Sequence, residues 1–86
     1  MDMSTHEIAT VEGSIARILR DHLSIDVESP ESDLLATGLL DSLGVVDLLI
    51  QIETELGVAI PMHNLDFADI RSVRSIAAMV VRRKSA

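Results

Sequence analysis

Few residues in this sequence could do covalent chemistry. Cysteine is absent, which removes thiol nucleophiles, thiolate metal sites and any disulfide framework. The three histidines, His6, His22 and His63, are scattered without a ligand spacing and predict no metal site. Among the hydroxyls, Ser42 stands apart. The run Gly38-Leu39-Leu40-Asp41-Ser42-Leu43 places it at the first turn of an apolar helix, after a loop, where its hydroxyl should face solvent. A helix N-terminus offers free N–H groups and the positive end of the macrodipole, which would stabilise a phosphodiester built on that oxygen. Asp41 is the expected N-cap. No histidine lies close enough in sequence to activate Ser42 as a nucleophile, so no catalytic residue is assigned and the chain is not expected to be an enzyme. On these residues alone Asp-Ser is an ordinary helix start, and that plain reading is the stronger one.

The elements that must position Ser42 follow from hydrophobic periodicity. Ile8, Val11, Ile15, Ile18 and Leu19 recur at helical spacing and predict a helix over about 4–22, opened by a Ser4–Glu7 capping box. Residues 23–41 lose the period, and Pro30, Ser29, Ser32, Thr37 and Gly38 supply turn chemistry. So long a connection should be ordered, pinned by Ile25, Val27, Leu34, Leu35, Leu39 and Leu40. A second helix is predicted over 42–56, with Val45, Leu48, Leu49, Ile52 and Leu56 as its core face and Gly57 as its stop. It carries a second apolar row, Leu43, Val46 and Ile50, bordered by Asp47, Glu53 and Thr54. One helix in a small domain cannot easily bury both rows. The outer row is therefore a candidate docking patch, unless a neighbouring loop covers it. A short helix is predicted within 64–70 and a last one over 72–84, burying Val73, Ile76, Ala77, Val80 and Val81 and ending in Arg82, Arg83 and Lys84. Met62 and Phe67 are expected mainly to pack into the core, with a share in a partner groove as the alternative. The fold class is all-α, a four-helix bundle with a long first loop and a short third helix.

The chain has 86 residues, enough for one domain with a single core and no deep enzyme cleft. Its net charge is −7, and from Asp21 to Ile70 there is no Lys or Arg, while eleven of the fourteen acids lie there. Such a surface repels nucleic acid and anionic membranes and attracts basic proteins; the same acids also keep an apolar-rich domain soluble. No apolar stretch approaches the length of a membrane span and no leader pattern opens the chain, so a cytoplasmic monomer is expected.

The run Asp33-Leu34-Leu35-Ala36-Thr37-Gly38-Leu39-Leu40-Asp41-Ser42-Leu43, an acidic amphipathic helix after it, and then Leu56-Gly57-Val58-Ala59-Ile60-Pro61 closely resemble the acyl and aminoacyl carrier proteins over nearly the whole chain. The resemblance implies that Ser42 carries 4′-phosphopantetheine, installed from coenzyme A by a Mg-dependent phosphopantetheinyl transferase, with Asp41 as cap and contact for that enzyme. The arm's thiol would hold cargo as a thioester, supplying the thiol the sequence lacks. Further partners implied are an ATP-dependent amino acid or acyl ligase and a downstream acyltransferase or synthase. They would dock on Leu43, Val46, Asp47, Ile50, Glu53 and Met62. Where fatty-acid carriers place an acid after Asp-Ser-Leu, this chain has Gly44, and Thr54 and Met62 replace acids of their recognition face. These features are more similar to D-alanyl and stand-alone aminoacyl carriers, which favours amino acid cargo over a fatty-acid or polyketide acyl group. From another class, an unmodified acidic helical adaptor, with Ser42 as a mere helix start, is the competing reading.

Overall fold

The computed structural model describes residues 3–85. Helix α1 spans Met3–Leu23, α2 spans Ser42–Leu56 and α3 spans Val73–Ser85; 3-10 turns occupy Met62–Asn64 and Phe67–Ile70. Among the described residues no strand occurs. The helices form where the apolar period predicts them, and α2 has the predicted limits at both ends. Its start is fixed by the Asp41 carboxylate accepting from the Gly44 N–H, and its end by Gly57 in the left-handed conformation, φ 71°. The capping box expected at Ser4 rests on the Ser4 side chain, which is not among the described side chains.

The expected short third helix is corrected. Leu65 and Asp66 are extended and split the segment in two. The Asp66 carboxylate then caps the Ala68 N–H at 3.0 Å, and the Asp69 N–H reaches the Asp66 carbonyl at 2.9 Å, closing only a tight turn. A new α-helical nucleus is costly, and the few residues left before α3 do not repay it. Among the described residues the bundle thus has three α-helices, not four. Helix α3 opens on a reciprocal pair: the Ser75 N–H donates to Ser72 Oγ at 3.1 Å and the Ser72 N–H to Ser75 Oγ at 3.0 Å.

Helix α1 packs on both α2 and α3, and one apolar cluster joins them. Ile15, Ile18 and Leu19 of α1, Leu48 and Ile52 of α2, and Ile76, Ala77 and Val80 of α3 are fully buried. The long connection is tied into this core. Leu34 is completely buried, its N–H donating to the Arg71 carbonyl at 2.7 Å, and the Leu40 N–H donates to the Leu34 carbonyl at 3.0 Å. Between them the Asp33 carboxylate accepts from the Leu35 and Ala36 N–H groups, and the chain turns through Gly38 at φ 75°. Ile25 and Leu40 are buried pins as expected, with Val27 and Leu35 packed against the cluster. Leu39 is not a pin; it faces outward at 47 % exposure, because its neighbour Leu40 takes the inward position.

Candidate functional site

Ser42 opens α2 and is exposed together with Asp41. The cap is complete: Asp41 Oδ1 accepts from the Gly44 N–H at 2.8 Å, and the Asp41 carbonyl accepts from the Val45 N–H at 2.9 Å. The Ser42 and Leu43 N–H groups have no protein acceptor among the described residues. A phosphodiester on Ser42 Oγ would therefore leave the protein surface at once, beside two free donors and the positive helix end. The donor set fits that group.

The outer row of α2 is exposed: Leu43 at 81 %, Val46 at 41 % and Ile50 at 53 %. No described loop covers it. Met62 and Phe67, expected mainly in the core, are exposed instead: Ile60, just before the first 3-10 turn, and Ile70, at the end of the second, take the inward apolar positions. Met62 joins Val46, Leu49, Ile50, Glu53 and Ile60 around a shallow groove of about 160 Å³. Sequence reading missed Leu39 and Phe67 as exposed apolar residues; a single chain carries no signal for which apolar residue of a loop turns inward.

Charge is sorted by the fold. Arginines from outside the acidic stretch reach back to pair with three of its acids: Arg71 faces Asp33, Arg74 faces Glu31 as well as Glu12 of α1, and Arg82 faces Asp69. At the far end of α2, Glu55 pairs with Arg17 and His22, each at 2.8 Å. Hydrogen bonds from Arg17 and then His22 hold the Glu55 carboxyl below its ordinary value. Asp47 and Glu53, by contrast, form no ion pair with any described residue. The uncompensated acids of α2 thus border its exposed apolar row. Among the described residues no helix is long and apolar enough to cross a membrane.

The family described as "Phosphopantetheine attachment site" matches residues 13–80. Similar proteins include a D-alanyl carrier protein of Bacillus pumilus (strain SAFR-032), 41 % identical over 56 residues, covering 65 % of this chain and 69 % of the relative. That of Streptococcus suis (strain 98HAH33) is 31 % identical over 72 residues, covering 83 % of this chain and 91 % of the relative. That of Enterococcus faecalis (strain ATCC 700802 / V583) is 36 % identical over 58 residues, covering 65 % and 74 %. By name these relatives are carriers of a D-alanyl group, and the matched family is defined by the attachment of phosphopantetheine. The match across most of the chain, over a capped helix that presents an exposed serine, means that this chain belongs to the phosphopantetheine-attachment family of carrier proteins.

Proposed function

We propose that Ser42 is the attachment residue, that the chain is a single carrier domain, and that its cargo is an amino acid, D-alanine by analogy with its relatives. The observation that carries this reading is the exposed Ser42 at the capped start of α2, next to an exposed apolar row whose acids have no ion pair among the described residues. When bound, the group supplies a thiol on a flexible arm that holds the cargo as a thioester. The chain's own residues do the rest: Asp41 holds the first turn, Ser42 offers its oxygen, and the partner enzyme must remove its proton. Leu43, Val46, Ile50 and Met62 give area to bury, while Asp47 and Glu53 steer basic partners. Those partners are a phosphopantetheinyl transferase, an ATP-dependent amino acid ligase and a downstream acyltransferase. Coenzyme A and ATP as the loading reagents favour the cytoplasm. The groove beside Met62 is open and shallow, which suits a small polar cargo better than a long fatty chain that must be kept from water.

The test is intact mass spectrometry after incubation with coenzyme A, Mg²⁺ and a broad-specificity transferase, with Ser42→Ala in parallel, followed by loading with D-alanine, ATP and a ligase. One phosphopantetheinyl addition is expected on the wild type and none on the variant. Addition to Ser42→Ala, or none to folded wild type with several transferases, sinks the assignment; acceptance of fatty acyl groups in preference to amino acids sinks the cargo.

A further inference from the structure

Gly44 lies in α2 two residues after Ser42, and unlike Gly38 and Gly57 it has no positive φ to explain it. Space explains it instead. A Cβ built there would stand 3.1 Å from Leu40 Cδ1, 3.3 Å from Asp41 Oδ1 and 3.4 Å from Leu23 Cδ2. The first two approaches are tighter than most Cβ atoms make, so a neighbour has to give by a few tenths of an ångström, and neither can step back freely. Leu40 is 2 % exposed; its N–H is bonded to the Leu34 carbonyl at 3.0 Å, and the N–H of fully buried Leu34 is bonded to the Arg71 carbonyl at 2.7 Å. Asp41 Oδ1 is the cap itself, 2.8 Å from the Gly44 N–H, so its retreat lengthens the bond that fixes the start of α2. Leu23 limits movement on its own side.

We infer that Gly44 is a positioning residue for the attachment reaction: its missing Cβ lets Leu40 and the Asp41 carboxylate close on the first turn of α2, which holds Ser42 in fixed register with the outer row of the same helix. The inference rests on the Ser42 assignment. A partner docked on Val46 and Ile50 finds the Ser42 oxygen where its own base and phosphate site expect it only if that first turn does not shift. A methyl group at position 44 has to displace Leu40, the cap or the turn by some tenths of an ångström. Since misplacement of reacting atoms by about 1 Å can cost about a hundredfold, a shift of this size should cost about tenfold in the transfer step.

The experiment measures kcat and KM for transfer of phosphopantetheine to wild type, Gly44→Ala, Gly13→Ala and the double variant Gly44→Ala/Leu40→Val. A Cβ at Gly13 would meet nothing within 4 Å, so Gly13→Ala controls for a glycine lost from a helix. In Gly44→Ala, kcat should fall about tenfold with KM within about twofold of wild type, because the docking row is untouched. Removing Leu40 Cδ1 in the double variant should restore kcat to within about threefold of wild type, a rescue that simple loss of stability cannot give. A folded Gly44→Ala modified at the wild-type rate, or a folded double variant as slow as the single one, overturns the inference. If Gly44→Ala does not fold, the double variant alone decides it: kcat within about threefold of wild type supports the inference, and a loss of about tenfold overturns it. Wild type that accepts no arm fails the Ser42 assignment itself, which separates the two outcomes.

Discussion

The two apolar rows of α2 make a prediction that can be worked in numbers. Ile50 is 53 % exposed and Ile52, two residues on, is fully buried. Ile→Ala removes three carbons, about 2.4 kcal/mol when all of them are buried, at ~0.8 kcal/mol per methylene. For Ile50 roughly half of this, about 1.3 kcal/mol, is still available to a partner, which corresponds to about eightfold in Kd. The remainder, about 1.1 kcal/mol, already stabilises the fold and should appear as lost stability. Ile52→Ala should cost about 2–5 kcal/mol of stability and leave the Kd of the folded fraction unchanged. The assay pairs calorimetric binding to the transferase or ligase with urea denaturation of each variant. Repeating the titration at higher salt should weaken wild-type binding if the row docks a basic partner, because Asp47 and Glu53 have no ion pair among the described residues to offset them. Ile50→Ala binding within about twofold of wild type, with only stability lost, would refute the argument that this row is a docking face.

Glu55 has a lowered carboxyl value owing first to Arg17 and then to His22. Its contribution to stability is therefore complete above the ordinary glutamate range and is lost as pH falls through that range to the lower folded-state value. Urea midpoints of wild type and Glu55→Gln should differ near neutrality and converge in acid, the gap narrowing with salt because the group is exposed; a gap independent of pH refutes the assignment. Two glycines should respond oppositely to alanine. Gly13 has open space around it, so Gly13→Ala should raise stability by about 1 kcal/mol, whereas Gly57 at φ 71° should lose about 1 kcal/mol. Thermal melts read both, and shifts of the same sign would show that one of the two backbone readings is wrong.

Much of the fold could be read from periodicity because local and tertiary preferences agree. The inner stripes of α1, α2 and α3 are where the pattern puts them, and Asp41 and Gly57 mark α2 because cap chemistry is local. The features that could not be read depend on contacts distant in sequence. Helix α1 ends at Ser24 with φ 59° and no glycine, its turn closed by the Ile25 N–H on the Leu19 carbonyl. The exposure of Leu39, Met62 and Phe67 depends on which neighbour wins the inward position. Of the site, Ser42 and the outer row were legible as an exposed hydroxyl and a surplus apolar face. The closeness of Leu40 and Leu23 to Gly44 was not, since it exists only after the loop has folded back on α2.

The acidic stretch also looked uniform in sequence, and the fold makes it unequal. Arg71, Arg74 and Arg82 lie outside that stretch, yet they return to cover Asp33, Glu31 and Asp69; Arg17 and His22 of α1 cover Glu55. What is left without an ion pair on α2, among the described residues, is Asp47 and Glu53, beside Val46 and Ile50. An exposed apolar row is by itself a liability, since two copies could bury it against each other. A pairing of like rows adds the negative fields of two sets of bare carboxylates, and that repulsion opposes the burial of Ile50. A partner with lysines or arginines around an apolar patch meets the same carboxylates as attraction. On the proposed docking reading, the two acids therefore do opposite work on two kinds of neighbour: they select against a second copy of the chain and for a basic enzyme. That is why neutralising them should harm partner binding and favour self-association together, a pairing of effects that neither solubility alone nor docking alone would produce.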